Sequence, residues 1–214
     1  MSEMFPDEDW REGAEVDLRD VGSTCCYCSG QSAQEVRTRL DAVPPDAVHL
    51  IDSGDFHYLT LFFLERIREP FRLLLLDNHP DDQAPALAPD LLSCGSWVAA
   101  ARSALPNLRE VCWNRVPASK DLPVYVSLDL DFLDAKYFET DWSQGTASPG
   151  ELYALLNALR PPTACGPRIL GVDVCGGLTV SKGATARTLS LNSATRKALL
   201  GFLQEWATPR LQDR

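Results

Sequence analysis

The sequence predicts an α/β fold of three layers, helix, sheet and helix, with a mainly parallel sheet in the middle. Strand-like and helix-like segments alternate along the chain, as expected where helices connect the strands of a parallel sheet. The four leucines at 73–76 form an unbroken apolar run, which is typical of a strand covered on both faces. The chain has 214 residues and shows no internal repeat or linker, so residues 1–214 are predicted to form a single domain.

Local signals place the elements along the chain. Apolar residues at helical spacing over 31–43 predict a helix that ends at Pro44, because proline disrupts a helix. Ser148, followed by Pro149 and then Glu151, is typical of a helix start. In chain order, we predict an edge strand at 15–18, a helix at 31–43, a strand at 47–51, a helix at 57–69, a strand at 71–77, a loop at 81–89, a helix at 96–104, strands at 108–113 and 123–130, a loop at 134–149, a helix at 150–159, a strand at 168–174 and a helix at 192–206.

Composition argues against several functional classes. Twenty basic against thirty acidic residues give a net charge of −10, which repels a phosphate backbone and argues against nucleic acid as a partner. No apolar run approaches the ~18–20 residues that a membrane span needs. The first residues also lack the basic and apolar regions of a signal peptide. We therefore predict a cytoplasmic protein that does not act at a membrane.

The seven cysteines are predicted to be reduced thiols, because the chain lacks an export signal and an odd number cannot pair completely. Three of them, Cys25, Cys26 and Cys28, lie within four residues. They could bind a soft metal such as zinc, but a second cysteine or histidine pair is missing. A loop near a site, or a packed turn, is the favoured interpretation.

The residues that end the strand at 71–77 indicate a metal site. Asp77, His79 and Asp81 are spaced two apart, so on an extended backbone they point to the same side. They follow the carboxyl end of the strand, the edge at which open parallel sheets bind ligands. Carboxylates with an imidazole suit a divalent transition metal such as manganese.

The strand at 123–130 ends in a similar way, with Asp129 and Asp131 two residues apart. A single Asp after a strand is more often a turn former or a helix cap. Two such strand ends in one chain favour a metal site instead. Four carboxylates and a histidine are more than one ion needs from the protein and are about right for two. Two ions roughly 3.5–4 Å apart can deprotonate a bridging water.

These motifs resemble those of the arginase-like ureohydrolases, a family that shares its fold with metal-dependent deacetylases. The matching segments are Asp77-Asn78-His79-Pro80-Asp81, Ser127-Leu128-Asp129-Leu130-Asp131 and the upstream Ser53-Gly54-Asp55-Phe56-His57. The chain looks like a compact bacterial member. The resemblance implies two ions, most favourably Mn²⁺, with His57 and His79 on different ions, Asp77 and Asp129 bridging, Asp81 completing the first site and Asp131 the second.

The chemistry that the resemblance implies is hydrolysis of a guanidino or amidino C–N bond. A hydroxide bridging the two ions would attack the guanidinium carbon, and Asp81 would pass a proton to the leaving amine. The substrate would be arginine, arginine within a peptide or a related guanidino compound, and the reaction would release urea. Enzymes of this family often assemble, so a homo-oligomer is also expected.

Substrate recognition is predicted at the loop 134–149, since loops after ligand-bearing strands often carry recognition groups. Trp142 could cover a flat cation through a cation–π contact, and Asp141 or Gln144 could hydrogen-bond to it. The alternative is a surface loop with Trp142 packed on the core. The strand at 168–174 ends at the same edge, where Asp173 could orient a guanidinium. His49, in the middle of a strand, is predicted to be structural.

Two features of arginases and agmatinases are missing. No acid follows Asp173 at the end of the last strand, and no histidine follows His79 to shuttle protons. Two alternatives therefore stay open. One is a deacetylase-type amide hydrolase, although such enzymes use one zinc and an adjacent histidine pair, which this sequence lacks. The other is a relative that binds metal without turnover.

Overall fold

The computed structural model describes residues 15–85, 91–159 and 166–211, without the side chains of 207–211. Cys165 and the part of the predicted loop 81–89 from residue 86 onward lie outside these residues. The strands are β1 (Tyr27–Cys28), β2 (Val48–Leu50), β3 (Phe71–Leu76), β4 (Leu92–Ser93), β5 (Leu108–Trp113), β6 (Val124–Asp129) and β7 (Ile169–Cys175). The α-helices are α1 (Gly30–Leu40), α2 (Leu59–Leu64), α3 (Trp97–Ala104), α4 (Pro149–Leu159) and α5 (Ala186–Leu211), and 3₁₀ turns occur at Gly54–Phe56, Leu130–Phe132 and Val180–Lys182.

Five strands form a parallel sheet in the order β2-β7-β6-β3-β5. The remaining strands, β1 and β4, pair with each other as a small antiparallel ribbon. In the parallel sheet, Leu76 of β3 pairs with Leu128 of β6, and Asp129 of β6 pairs with Cys175 of β7. The carboxyl ends of these three neighbouring strands therefore meet at one edge of the sheet.

Helices cover both faces of this sheet, which confirms the predicted three-layer architecture. Leu73 and Leu75 of β3 pack in one apolar cluster with α1, α2 and α3, whereas Leu74 and Leu76 pack in a second cluster with α4 and α5. All four leucines are fully buried. Each such side chain contributes about 1.5–3 kcal/mol relative to exposure. Burial on both faces explains why the run shows no alternation of apolar and polar residues.

The predicted start of α4 is confirmed in atomic detail. The Ser148 hydroxyl accepts a hydrogen bond from the Glu151 amide at 3.2 Å, and the Glu151 carboxylate accepts one from the Ser148 amide at 2.8 Å. This reciprocal pair is a capping box, which satisfies two amides that would otherwise lack a helical partner.

Three predicted elements differ from the structure. Residues 15–18 form no strand, so the predicted edge strand is wrong. The helix predicted at 57–69 is the shorter Leu59–Leu64, because the chain first makes the 3₁₀ turn at Gly54–Phe56. Helix α5 begins at Ala186 rather than at 192, and its first turn is capped by Thr185, whose hydroxyl accepts from the Thr188 amide at 3.1 Å. The polar opening of α5 hid its start from a search for apolar periodicity. Within the described residues, no helix is long and apolar enough to cross a membrane.

Candidate metal centre

Three segments bring the six predicted ligands together at the carboxyl edge of the sheet. His57 follows the 3₁₀ turn after β2, and its amide donates to the Gly54 carbonyl at 3.1 Å. Asp77 directly follows β3, and Asp129 is the last residue of β6. Five of the six residues are buried, and His79 is partly exposed. The residues of this cluster are His57, Asp77, His79, Asp81, Asp129 and Asp131.

The first group of ligand atoms surrounds His57. Its Nδ1 lies 3.2 Å from Asp77 Oδ2, 3.1 Å from Asp81 Oδ2 and 3.6 Å from Asp129 Oδ2. The side chain of His57 is only 1% exposed, so this group is closed to solvent on the histidine side. One imidazole nitrogen and three carboxylate oxygens thus converge on one point.

The second group surrounds His79. Its Nδ1 lies 2.8 Å from Asp131 Oδ2 and 3.5 Å from Asp77 Oδ1. The side chain of His79 is 29% exposed, and its Nε2 lies 2.7 Å from the Ser143 hydroxyl. Asp77 therefore turns one oxygen toward each histidine and belongs to both groups.

Local backbone geometry holds these carboxylates in place. Asp81 has a left-handed φ of +48°, a conformation that costs a non-glycine residue about 1–2 kcal/mol, and its Oδ2 accepts a 2.7 Å hydrogen bond from Trp97 Nε1. Asp77 and Asp129 each accept from the amide two residues on, at 2.6 and 2.9 Å. Strain and hydrogen bonding together fix the orientation of the acids.

Gly176 allows the chain to pass close to Asp129 after β7. Its φ is +98°, and a Cβ at this position would lie 2.5 Å from Asp129 Oδ1. Any other residue here would collide with the cluster and would also strain the backbone. The glycine thus has the role that a close approach of backbone to a site requires.

The cluster carries more negative charge than its burial tolerates. Burial, followed by repulsion from neighbouring carboxylates, raises the pKa of Asp131 to about 9 and that of Asp129 to about 6. Burial also raises the pKa of Asp81. Burial opposes ionisation of Asp77 as well, but the nearby imidazoles of His57 and His79 outweigh it and lower the pKa of Asp77 to about 2.

The two histidines respond in the opposite sense. A hydrogen bond to Asp77 is the main cause that raises the pKa of His79 to about 9. Burial works against the charged form of His57, but the nearby Cys175 thiol and the Asp77 and Asp81 carboxylates raise its pKa overall. Positive charge is therefore favoured throughout the cluster, as expected of a cation site.

The residues fit a pair of divalent ions. Asp77 Oδ2 is buried and has no hydrogen-bond partner, although His57 Nδ1 lies 3.2 Å away, and a buried oxygen of this kind is costly unless something binds it. The donors of His57, Asp77 and Asp81 lie within 4.8 Å of one another, as do those of Asp77, His79 and Asp131. Imidazole and carboxylate donors suit divalent transition metals.

A buried hydrogen-bond chain supports His57 from behind. Its Nε2 lies 2.9 Å from the Ser127 hydroxyl, which donates to Asp173 Oδ1 at 2.7 Å. Metal-binding histidines commonly use their second nitrogen in this way, because the hydrogen bond fixes the tautomer and the ring orientation. Burial raises the pKa of Asp173 to about 6.

Asp173 therefore lies below the opening of the cluster, whereas the prediction of substrate binding placed it at the edge. It is fully buried and pairs in the sheet with Ser127, two residues below Asp129. Its role in the structure is to hold Ser127. Gln144 also turns inward, since its amide group donates to the carbonyls of Leu133 and Phe138.

Asp141 and Trp142 do lie at the mouth of the cluster. Trp142 is 39% exposed, and its ring meets the His79 ring edge-on with centroids 6.1 Å apart. Its Nε1 donates to Asp55 Oδ1 at 3.1 Å. Lys182 forms ion pairs with both Asp55, at 2.5 Å, and Asp141. Two carboxylates thus hold the Lys182 ammonium beside the metal ligands, and the Trp142 indole donates to one of them.

The cysteine-rich turn reaches the same mouth. Cys25 Sγ donates to Asp55 Oδ2 at 3.4 Å, and Cys26 has a left-handed φ of +57°. The three donor groups of Cys25, Cys26 and Asp55 lie close enough to hold a metal ion. The turn is thus near the site, as the favoured interpretation of the sequence expected.

Other residues of the site were missed in the sequence. Trp97 and Lys182 come from segments with no metal motif of their own, and only the fold brings them in. Cys175 could have been found, because it ends a strand at the same edge as Asp129. His49 stacks on Phe63 with centroids 3.9 Å apart, and its Nε2 lies 2.7 Å from the Pro44 carbonyl, which agrees with a structural role.

Comparison with known proteins places this geometry in a wider context. No protein-family profile matches the chain. A protein from Thermotoga maritima described as uncharacterized is 32% identical over 148 residues, 60% of this chain and 57% of that protein. The matched region thus spans little more than half of that relative's length.

Solved structures with ureohydrolase names are similar in fold. A hypothetical agmatinase from Burkholderia thailandensis is 20% identical, with a TM-score of 0.55 over 80% of this chain and 63% of that one. The arginase from Bacillus caldovelox is 16% identical, with a TM-score of 0.55 over 89% and 79%. The proclavaminate amidino hydrolase from Streptomyces clavuligerus is 16% identical, with a TM-score of 0.54 over 83% and 70%. This chain therefore has the fold of the arginase and agmatinase ureohydrolases.

Proposed function

We propose that the protein is a two-metal hydrolase of a guanidino or amidino C–N bond. The observation that carries this proposal is Asp77, a buried carboxylate that turns one oxygen toward His57 and the other toward His79. A shared carboxylate between two histidine-containing groups is what a pair of adjacent ions requires. The fold similarity to an arginase, an agmatinase and an amidino hydrolase supports the guanidino class of substrate.

The ligand sets combine the distances with the bridging role that the family resemblance implies for Asp129. His57, Asp77, Asp81 and Asp129 would hold one ion, and Asp77, His79, Asp131 and Asp129 the other, with Mn²⁺ suited to the oxygen-rich donors. Such ions, when bound, lower the pKa of a coordinated water and stabilise developing negative charge.

The protein's own groups would position and move protons. Trp97 holds Asp81 by a 2.7 Å hydrogen bond, and burial raises the pKa of this acid. A carboxyl group of raised pKa can take a proton from the nucleophile and return it to the leaving amine. The Asp173–Ser127 pair would keep the His57 ring oriented throughout.

Substrate recognition would use the mouth of the cluster. Asp55 and Asp141 now bind the ammonium group of Lys182, and Asp141 Oδ1 is buried without a hydrogen-bond partner. A guanidinium has several donors in one plane and could replace Lys182 between these acids, while Trp142 covers its flat face. This arrangement would supply the acidic contact that the end of β7 lacks.

The setting of the reaction is part of the proposal. Free or peptide-linked arginine, or a related guanidino compound, would be the partner, and neither nucleic acid nor membrane is needed. The six described cysteines are free thiols, which suits the reducing cytoplasm. A homo-oligomer stays a prediction.

The test joins metal content with product formation. The purified protein is loaded with Mn²⁺, and urea release is measured with arginine, agmatine, guanidinobutyrate and arginine-containing peptides, with Asp129→Asn as the control. We expect about two ions per chain and urea from at least one substrate, lost in the variant. Two bound ions without urea from any compound would contradict the guanidino proposal, and a single tightly bound zinc with amide cleavage would favour the deacetylase alternative.

A further inference from the structure

Cys175 is a buried thiol inside the candidate metal centre that the six predicted ligands do not include. It ends β7 and pairs in the sheet with Asp129. Its side chain is fully buried, and its Sγ donates to Asp129 Oδ2 at 3.0 Å. The thiol therefore touches the same carboxylate oxygen that lies 3.6 Å from His57 Nδ1.

The geometry allows this sulfur to bind an ion together with its neighbours. The donor atoms of His57, Asp129 and Cys175 all lie within 4.8 Å of one another. In a tetrahedral site with metal–donor bonds of about 2.0–2.3 Å, neighbouring donors stand about 3.3–3.7 Å apart. Small side-chain adjustments would therefore bring all three onto one ion.

A second observation also points to a ligand at this place. Asp77 is 1% exposed, and its Oδ2, 3.2 Å from His57 Nδ1, has no hydrogen-bond partner. The unpartnered oxygen faces the same imidazole nitrogen that lies 3.6 Å from Asp129 Oδ2, the oxygen to which Cys175 donates. Nitrogen, oxygen and sulfur donors thus surround one small buried volume.

We propose that Cys175 is a thiolate ligand of the ion on the His57 side, and that this site selects a softer ion such as Zn²⁺ or Co²⁺ over Mn²⁺. The inference rests on the metal centre of the proposed function. Thiolates favour soft ions, whereas carboxylates and waters favour hard ones. When the ion binds, the S–H bond breaks, the sulfur lone pair forms the metal–sulfur bond and the proton leaves to solvent.

The proposal makes the two ion sites chemically different. The His79 side offers nitrogen and oxygen donors, with Asp77 and Asp131 nearest to its imidazole, and suits a harder ion. The His57 side adds sulfur and is closed to solvent. A mixed pair of metals would follow when both kinds of ion are supplied.

The test uses Co²⁺, because a cobalt–thiolate bond gives a charge-transfer absorption in the near ultraviolet that oxygen and nitrogen ligands do not give. The full-length protein is stripped with a chelator and titrated with Co²⁺, and bound cobalt is counted per chain. We expect the band in the wild type and in Cys112→Ser, a buried cysteine of β5 away from the cluster, and its loss in Cys175→Ser. The affinity for Zn²⁺ should fall at least about tenfold in Cys175→Ser, because losing even a residue that only hydrogen-bonds to a metal ligand lowers metal affinity by that factor. The affinity for Mn²⁺ should change little.

Each alternative outcome has a distinct meaning. Two bound cobalt ions without the band would overturn the thiolate ligand and leave the metal centre of the proposed function intact. No bound cobalt would overturn both. A band that survives Cys175→Ser and disappears in the double variant Cys25→Ser/Cys26→Ser would assign the sulfur to the cysteine-rich turn and overturn the proposal.

A second measurement covers the case in which Cys175→Ser does not fold. X-ray absorption of the zinc-loaded Cys25→Ser/Cys26→Ser variant should show a sulfur about 2.3 Å from the zinc. Zinc with only nitrogen and oxygen neighbours in that variant would reject Cys175 as a ligand.

Discussion

The two halves of the metal cluster differ in the exposure of their histidines and in the hydrogen bonds that hold them. On the His57 side the imidazole is 1% exposed, and its second nitrogen contacts Ser127, which donates to Asp173. Asp81 of the same group accepts a hydrogen bond from Trp97. On the other side, the His79 side chain is 29% exposed, and its Nε2 contacts the hydroxyl of Ser143, a residue of the loop after β6. The comparison teaches that one candidate ion site belongs to the buried core and the other to a partly exposed edge beside a loop, so the two should respond differently to mutation.

The largest effect should come from the residue that the two halves share. Asp77→Asn keeps the shape of the side chain but removes its charge, so both ions should bind weakly. We expect metal content to fall below one ion per chain and turnover to drop at least about 10³-fold, since several kcal/mol of charge stabilisation is lost. Metal analysis and urea release measure this, with the partly exposed acid Asp134→Asn, which lies outside the cluster, as the control. Normal loading of both ions in Asp77→Asn would refute the shared carboxylate.

A smaller effect confined to one half should follow from Asp173→Asn. The change leaves the hydrogen-bonding shape in place but weakens the support of Ser127, and through it His57. We expect one of the two ions to bind about 10–100-fold more weakly while the other is retained. Titration with Mn²⁺, followed by equilibrium dialysis, resolves the two affinities.

The control for that experiment is thermal unfolding without metal, which should remain cooperative in Asp173→Asn. An equal loss of both ions would show that Asp173 supports the whole sheet edge rather than His57. A change in KM without a change in metal affinity would instead restore Asp173 to substrate binding.

Metal affinity on the His79 side should depend on pH over a range that can be measured. The pKa of Asp131 is raised to about 9 by burial and by nearby carboxylates, and that of His79 is raised to about 9 chiefly by Asp77. Both groups must lose a proton to bind an ion, so affinity should rise as pH increases and level off above about pH 9. Below that value each bound proton costs about tenfold per pH unit.

Calorimetry in buffers of different ionisation enthalpy would count the protons released on binding. We expect more than one proton per ion at pH 7 and a number near zero only above about pH 10.5, since groups with a pKa of about 9 are still partly protonated closer to that value. A proton count that does not vary between these values would show that the raised pKa values do not govern binding.

The smallest effect should come from Ser143→Ala. The hydroxyl lies 2.7 Å from His79 Nε2 at a partly exposed position, where one hydrogen bond is worth about 0.5–1.5 kcal/mol. We expect the ion on the His79 side to bind about 2–10-fold more weakly, with the other ion unchanged. A loss as large as that in Asp173→Asn would mean that the exposed half is as tightly held as the buried one.

Residues with a local motif were located by the sequence, whereas residues recruited by the fold were not. A spacing of two residues at a strand end predicts the ligands Asp77, His79 and Asp81, and the same spacing at a second strand end predicts Asp129 and Asp131. Substrate binding by Asp173 stays a prediction, but the structure buries this side chain below the edge of the sheet, and the strand predicted at 168–174 ends one residue later, at Cys175. Cys175 is the residue at the edge, and Asp173 lies about 6–7 Å below it.

The fold class was predictable for a similar reason. An unbroken leucine run and alternating elements are properties of consecutive residues. Lys182 and Trp97, by contrast, reach the site from turns and helices whose own sequences serve local structure. Their positions depend on packing between distant segments, for which spacing along the chain carries no signal.

Asp77 belongs to both ligand groups, and this has a thermodynamic consequence. When one carboxylate serves two ions, the free energy of binding the first ion depends on whether the second is present, and linkage requires this coupling to be reciprocal. The first ion would hold the Asp77 side chain in position for the second ion, which favours binding, but its positive charge would repel the second ion. The affinity for one ion would therefore depend on whether the other site is filled, so each affinity is defined only at a stated concentration of the second ion.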